Sequence, residues 1–162
     1  MIRDAKFADI PGIIGLLEYG YAHSHYAKAK LARIDQKEAK RLLVQSIQRH
    51  GGKNGGACFV QVAESFGVIN GLILGTLARV YAIGDKLTAT DLFWLAAPTV
   101  NPSEPLRLMK NMVEWAWKSP HVIEVKCGAT AIIQDPEGAG SLLERLGMTK
   151  FGNIYRMERA SS

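Results

Sequence analysis

The stretch from Thr90 to Lys118 constrains this chain most, because it reads as a strand, an abrupt break and a helix in immediate succession. Thr90, Leu92, Phe93, Trp94 and Leu95 form a nearly unbroken β-favouring run, the pattern of a central strand covered on both faces. Pro98, Asn101, Pro102 and Ser103 stop it, since proline cannot donate to a ladder and small polar residues favour turns. From Ser103 the period becomes helical. Arg107, Lys110, Asn111, Glu114 and Lys118 fall on one arc about 100° wide at 100° per residue. Leu106, Leu108, Met109, Met112, Val113, Trp115, Ala116 and Trp117 fill the rest, which places Trp117 and Met109 deep in the apolar arc. A strand feeding a helix N-terminus is a place to hold an anionic ligand, because unpaired amides and the helix dipole both point there.

At 162 residues the chain makes one domain, large enough to bury a core without metal or disulfide. The formal charge of +5 is scattered, and no run of Lys or Arg alternates with aromatics, which disfavours nucleic acid as a partner. Cys58 and Cys127 lack metal-ligand spacing and read as two small buried hydrophobes in a reducing compartment, so no metal is expected. The charged start is not a signal peptide and no apolar run spans a bilayer, so the expected place is the cytoplasm, with no membrane partner.

Met1 to Phe7 reads as a first strand, with Asp9 capping the helix that follows and Pro11 in its first turn. Ile10, Ile13, Ile14, Leu17 and Tyr21 mark that helix's buried face. Near its end, Tyr21, His23, His25 and Tyr26 cluster; they either line a substrate pocket or are surface residues that suit the helix dipole. A second helix starts at Asp35 with Glu38 three residues on, like a capping box, and ends at His50. The glycines of 51–56 lack phosphate-loop spacing and precede a strand, so they read as a connector. Cys58 to Glu64, Gly71 to Tyr81 and the strand entering Leu92 are joined by short connections and should form an antiparallel meander. Val122 to Ala131 makes another strand, with Ile123, Val125 and Cys127 on one face. A helix over Gly138 to Leu146 follows, and Phe151 to Arg159 is expected as a final strand.

This order of elements resembles the GNAT acyltransferase superfamily over essentially the whole chain. The most specific pieces are the opening Met1-Ile-Arg-Asp-Ala-Lys-Phe-Ala-Asp-Ile-Pro and the closing Leu143-Glu-Arg-Leu-Gly-Met-Thr-Lys-Phe-Gly. The subtype is similar to GNAT-like proteins encoded by phages and prophages. The resemblance implies a single α/β domain with a mixed, mostly antiparallel sheet and helices on both faces. It also implies acetyl-CoA as acyl donor, lying in a gap between the fourth and fifth strands, and transfer to an amine by direct attack. The pantetheine arm would run along Leu95, Ala96 and Ala97. The pyrophosphate would rest near Ser103, Leu106 and Arg107, with Ser141 on a cofactor-facing helix. His23, His25, Tyr26 and Asp91 are the candidate bases or contacts for an amine-bearing small molecule or protein, and a homodimer is compatible with the reading.

The chain departs from the family pattern in two places. Asn101-Pro-Ser-Glu-Pro-Leu106 stands where a basic residue and spaced glycines are usual, so Pro102 and Pro105 remove two amides and Glu104 adds a negative charge unless it merely caps the helix. Leu143 stands where the family's tyrosine acid is usual. These departures define the alternative: a non-catalytic GNAT-fold module that binds a partner or self-associates.

Overall fold

The computed structural model describes residues 1–30, 32–51, 57–128 and 136–159. Strand β1 (Ile2–Asp4) leads through a single 3-10 turn into helices α1 (Ile10–Ala22), α2 (His25–Lys28) and α3 (Gln36–Gln48). Strands β2 (Cys58–Ser65), β3 (Val68–Arg79) and β4 (Leu87–Ala96) follow, then α4 (Glu104–Trp117), β5 (Val122–Lys126) and α5 (Pro136–Arg145). The sheet order is β1-β2-β3-β4-β5; every neighbouring pair is antiparallel except β4 with β5. The meander and the mixed α/β architecture expected from the sequence are both present.

Alternation along the strands sends one set of side chains to each helical layer. Val60, Val62, Leu72, Leu74, Phe93 and Leu95 pack with Ile13, Leu16 and Leu17 of α1 and Leu43 of α3. Phe59, Ala63, Ile73 and Trp94 pack on the opposite face with Leu108, Met109 and Met112 of α4 and with Leu143 of α5. Helix α4 reaches the sheet closely because β3 carries glycine beneath it: a Cβ on Gly75 would lie 2.4 Å from the sulfur of Met112.

Local signals account for most element ends. The Asp35 carboxylate accepts from the amides of Lys37 and Glu38, the cap its position predicts. Gly147, at φ +87°, ends α5: its amide donates to Glu144 and that of Met148 to Leu143, the paired bonds of a Schellman end. The β2–β3 connection is tighter than expected. Phe66 and Gly67 both have positive φ, a two-residue hairpin turn in which phenylalanine sits where Asn or Asp is usual. Helix α2 was not expected at all.

Four expectations need correction. Asp9 occupies the N-cap position of α1 but makes no side-chain cap bond; its carboxylate is taken by the Arg3 guanidinium and the Lys6 amide. Trp117 is 52% exposed, because it lies only about 20° from Lys110 around the helix, at the boundary of the polar stripe. The alternation in β5 is broken at Ile123, where the register with β4 jumps from Leu87↔Val122 to Thr88↔Glu124. Val122 and Val125 therefore pack inward while Ile123 is exposed. Finally, Phe151 to Arg159 forms no strand and is exposed throughout. Residues 129–131 of the expected β5 and 52–56 of the glycine connector lie outside the described residues.

Candidate active site

Strand β4 is paired on both sides for only part of its length. Leu87 to Thr90 pair with β5 up to Lys126, whereas pairing with β3 continues to Ala96. Beyond Thr90 the edge of β4 that faced β5 therefore has no strand partner among the described residues. The divergence coincides with an irregularity in the other ladder, where Leu74 pairs with Phe93 but Gly75 with Asp91, so Leu92 is an extra residue. A bulge of this kind bends and twists a strand, which is how β4 leaves β5.

The bond from the Ala97 amide to the Asn70 carbonyl (2.8 Å) fixes which backbone groups face the gap. Bonded residues recur at every second position of an antiparallel ladder. Leu95 and Ala97 thus spend their backbone on β3, and Trp94 and Ala96 aim theirs at the open side. Of the sequence's candidates on this strand, Ala96 alone turns its backbone to the open side, and Trp94, which the sequence did not single out, does the same. The Leu95 side chain points to the α1 layer, where a Cβ on Gly20 would meet it at 2.9 Å.

Asp91 stands where the strands part. Its carboxylate accepts from the Gly128 amide at 3.2 Å, bridging β4 to the chain just beyond β5. Burial raises its pKa above the ordinary carboxylate range, and the Gly128 bond offsets only part of that. The Cys127 thiol, which contacts the Met109 sulfur at 3.2 Å, is pushed up to about 12 by burial and by the Asp91 charge. A thiol held there is a poor nucleophile. Gly128 was also missed; a glycine directly after an apolar strand is its only trace in the sequence.

The start of α4 is already furnished. The Asn101 carboxamide oxygen accepts from both the amide (3.1 Å) and the hydroxyl (2.9 Å) of Ser103, and the Asn101 carbonyl accepts from the Glu104 amide (2.9 Å). Glu104 faces neither a ligand nor the helix cap: it is 5% exposed and pairs with the Met1 ammonium at 2.7 Å. The Trp94 indole donates to the Pro105 carbonyl at 2.9 Å, tying this helix start to the open strand. Arg107 is exposed and Leu106 half-buried beside it. Ser141 is exposed on α5, and Leu143, two residues on and so on the opposite side of the helix, is buried in the core with Phe59 and Met109.

The His and Tyr cluster belongs to the other layer. His23 holds the Tyr19 carbonyl through Nδ1 at 2.8 Å and lies against the Tyr19 ring, and His25 packs on Tyr26. Because α1 crosses β4 at Gly20, these residues follow the helix past that strand on the α1 face, whereas Asp91 opens toward Cys127 on the α4 face. The sheet therefore stands between the two groups of candidate residues. Among the described residues there is no cluster of three His, Cys, Asp or Glu able to hold a metal ion, and no helix is long and apolar enough to cross a membrane.

No family model and no curated protein matches this sequence. Solved structures do. A putative acetyltransferase from Agrobacterium tumefaciens superposes with a TM-score of 0.69 at 12% identity, covering 98% of this chain and 99% of its own. A ribosomal-protein-alanine N-acetyltransferase from Brucella melitensis gives 0.64 at 16% over 99% of each chain. An aminoglycoside 6'-N-acetyltransferase from Acinetobacter haemolyticus gives 0.65 at 12% over 100% of this chain and 99% of its own. At such identities the shared property is architecture: this chain has the GNAT-like acetyltransferase fold, with its mixed α/β sheet mostly antiparallel.

Proposed function

We propose that this chain is an acyl-CoA-dependent N-acyltransferase, taking an acyl group, acetyl in the first instance, to an amine by direct attack in a ternary complex. The observation that carries the reading is the parting of β4 and β5 with a half-buried carboxylate at the fork. The outward backbone groups of Trp94 and Ala96 suit the amides of a pantetheine arm, as an added strand would use them. The α4 start suits a pyrophosphate less well, because Pro102 and Pro105 lack amides and Asn101 takes both donors of Ser103. The charge there falls to Arg107, which is exposed and can make a charge-assisted contact. When bound, acetyl-CoA supplies the acyl group as an activated thioester.

Within this reading Asp91 is the base. Its raised pKa brings it nearer the proton affinity of an amine nucleophile, and its fixed bond to Gly128 orients the second oxygen. Leu143 has no ionisable group and is buried in the core, so the acid that protonates the departing thiolate comes from another residue or from water. His23, His25 and Tyr26 lie on the α1 side of the fork, where their role in this reading is contact with the acceptor. Ribosomal-protein and aminoglycoside acetyltransferases of the same fold motivate protein amines and small polyamines as acceptors to test.

Thermal unfolding with and without acetyl-CoA tests the cofactor. With a Kd of about 10 μM, about 1 mM ligand stabilises by roughly 2.7 kcal/mol and raises Tm by roughly 5–10 °C. The rise should largely vanish in Arg107→Ala. No rise in the wild type refutes the reading and leaves the non-catalytic module. That second reading draws on the occupied helix start, and a transcriptional regulator from Bacillus halodurans shares the fold at a TM-score of 0.70 and 15% identity.

A further inference from the structure

One cavity beside the fork carries charge that the fold leaves unpaired. It measures about 500 Å³ and is lined by Tyr21 at the end of α1, Ala27 of α2, and Lys30, Ala32 and Arg33 of the chain leading to α3. Among the described residues that line it, two are cations and none is acidic. Lys30 and Arg33 are exposed and make no ion pair among the described residues. The carboxylates nearest in sequence are already engaged: Glu18 takes the Gln36 carboxamide, and Asp35 caps α3 through the amides of Lys37 and Glu38. Lys28, exposed on α2, adds a third positive charge two residues before Lys30.

The walls are held by local bonds. The Tyr21 carbonyl accepts from the amide (2.9 Å) and the hydroxyl (2.6 Å) of the buried Ser24, and the Lys30 amide donates to the Ala27 carbonyl at 3.2 Å. Ile34, packed against the α1 core, anchors the far end. Lys30 stands at φ +53°, a left-handed conformation that glycine or asparagine adopts at lower cost. The chain thus keeps a cation where the backbone favours a residue without a long side chain, the mark of a position retained for its function. Tyr21 comes directly after Gly20, where α1 meets Leu95 on the open half of β4. The cavity therefore begins on the α1 side of the fork.

We propose that this cavity is an anion site, and that the acceptor it selects is a primary amine carrying a carboxylate or a phosphate. The amine rests on the transferase reading; the anion site does not. Arg33 offers a planar fork of donors and Lys30 a point charge, a pair suited to either oxyanion. Tyr21 brings a hydroxyl donor to the same wall, and Ala27 and Ala32 leave the space open. An anion held there leaves the amine of the same molecule free to enter the gap toward Asp91. A polycation such as an aminoglycoside would instead meet like charge at this wall.

Three short amines separate the possibilities: O-phosphoethanolamine, β-alanine and ethanolamine, added without acyl donor and followed by amide NMR shifts, with inorganic phosphate as the amine-free probe. Shifts at Tyr21, Ala27 and Ala32 should saturate with phosphate and with the two anionic amines, about tenfold or more tighter than with ethanolamine. The tighter of the two anionic amines identifies the oxyanion. Lys30→Gln and Arg33→Gln should each weaken binding about tenfold at unchanged Tm, since both side chains are exposed, and Arg33→Lys should recover part of the loss. Ethanolamine bound as tightly as the anionic amines, shifts confined to other parts of the surface, or binding that both charge removals leave unmoved overturns the proposal. Adding acetyl-CoA then reads the two claims apart. Anionic amines that bind as expected and are never acylated refute the transferase reading and leave the anion site standing. Acylation that favours ethanolamine over both anionic amines overturns the acceptor assignment.

Discussion

Replacing Asp91 by asparagine tests the site most directly, because it changes charge while keeping shape. The carboxamide oxygen can still accept from Gly128 at the distance the carboxylate uses, 3.2 Å, so the fork between β4 and β5 stays closed at its apex. What disappears is the basic group. General-base catalysis contributes roughly 10²–10⁴-fold, so kcat/KM for acyl transfer should fall by that factor, about 3–5 kcal/mol in the barrier. The assay is release of free CoA thiol with a panel of primary amines, followed against pH. In the wild type the rate should rise through a pKa above the ordinary carboxylate range, because burial raises that of Asp91. In Asp91→Asn this limb should vanish.

Stability supplies an independent sign. Because the folded-state pKa is raised, the folded protein holds the Asp91 proton more tightly than the unfolded chain does. Its contribution is complete below the unfolded pKa and is lost as pH rises through the folded one. Asp91→Asn escapes that loss, so its Tm relative to the wild type should increase from mildly acidic to neutral pH. Activity within tenfold of the wild type with the same pH limb, in a variant that unfolds cooperatively, would refute Asp91 as the base.

Gly75→Ala should destabilise by about 1–3 kcal/mol in chemical denaturation, since the new methyl meets the Met112 sulfur and the core must shift to accept it. Met109→Ala, in a fully buried position, should cost about 2–5 kcal/mol. Trp117→Ala, half-exposed at the helix end, should cost roughly 1 kcal/mol, so the ranking of these two checks the register of α4. Asp9 has a pKa lowered first by its bond to Arg3, so its contribution is present at neutral pH and lost as pH falls through the depressed value. Asp9→Asn should therefore cost about 1.5–3 kcal/mol near pH 7, with a deficit that shrinks in acid.

Period and punctuation in the sequence determined the three long helices α1, α3 and α4 and the meander strands. Residues at helical spacing place α1, α3 and α4, and Asp35 and Gly147 end two helices through their own side-chain and backbone chemistry. Short connections make the meander antiparallel for the same local reason. What periodicity encodes is a face, and a face does not name its neighbour. Only the assembled sheet decides that β4 loses β5 beyond Thr90, because that depends on one extra residue in one ladder and a register jump in the other. The same ladder decides that Trp94 and Ala96, and not Leu95 and Ala97, turn their backbone to the gap. Charge placement is likewise tertiary: Glu104 turns inward to an ammonium more than a hundred residues away in sequence, and Asp9 leaves its helix for Arg3. The segment after Gly147 shows the limit most plainly. Its side chains favour a strand, but a strand exists only where an edge receives it, and residue preference alone cannot supply that edge.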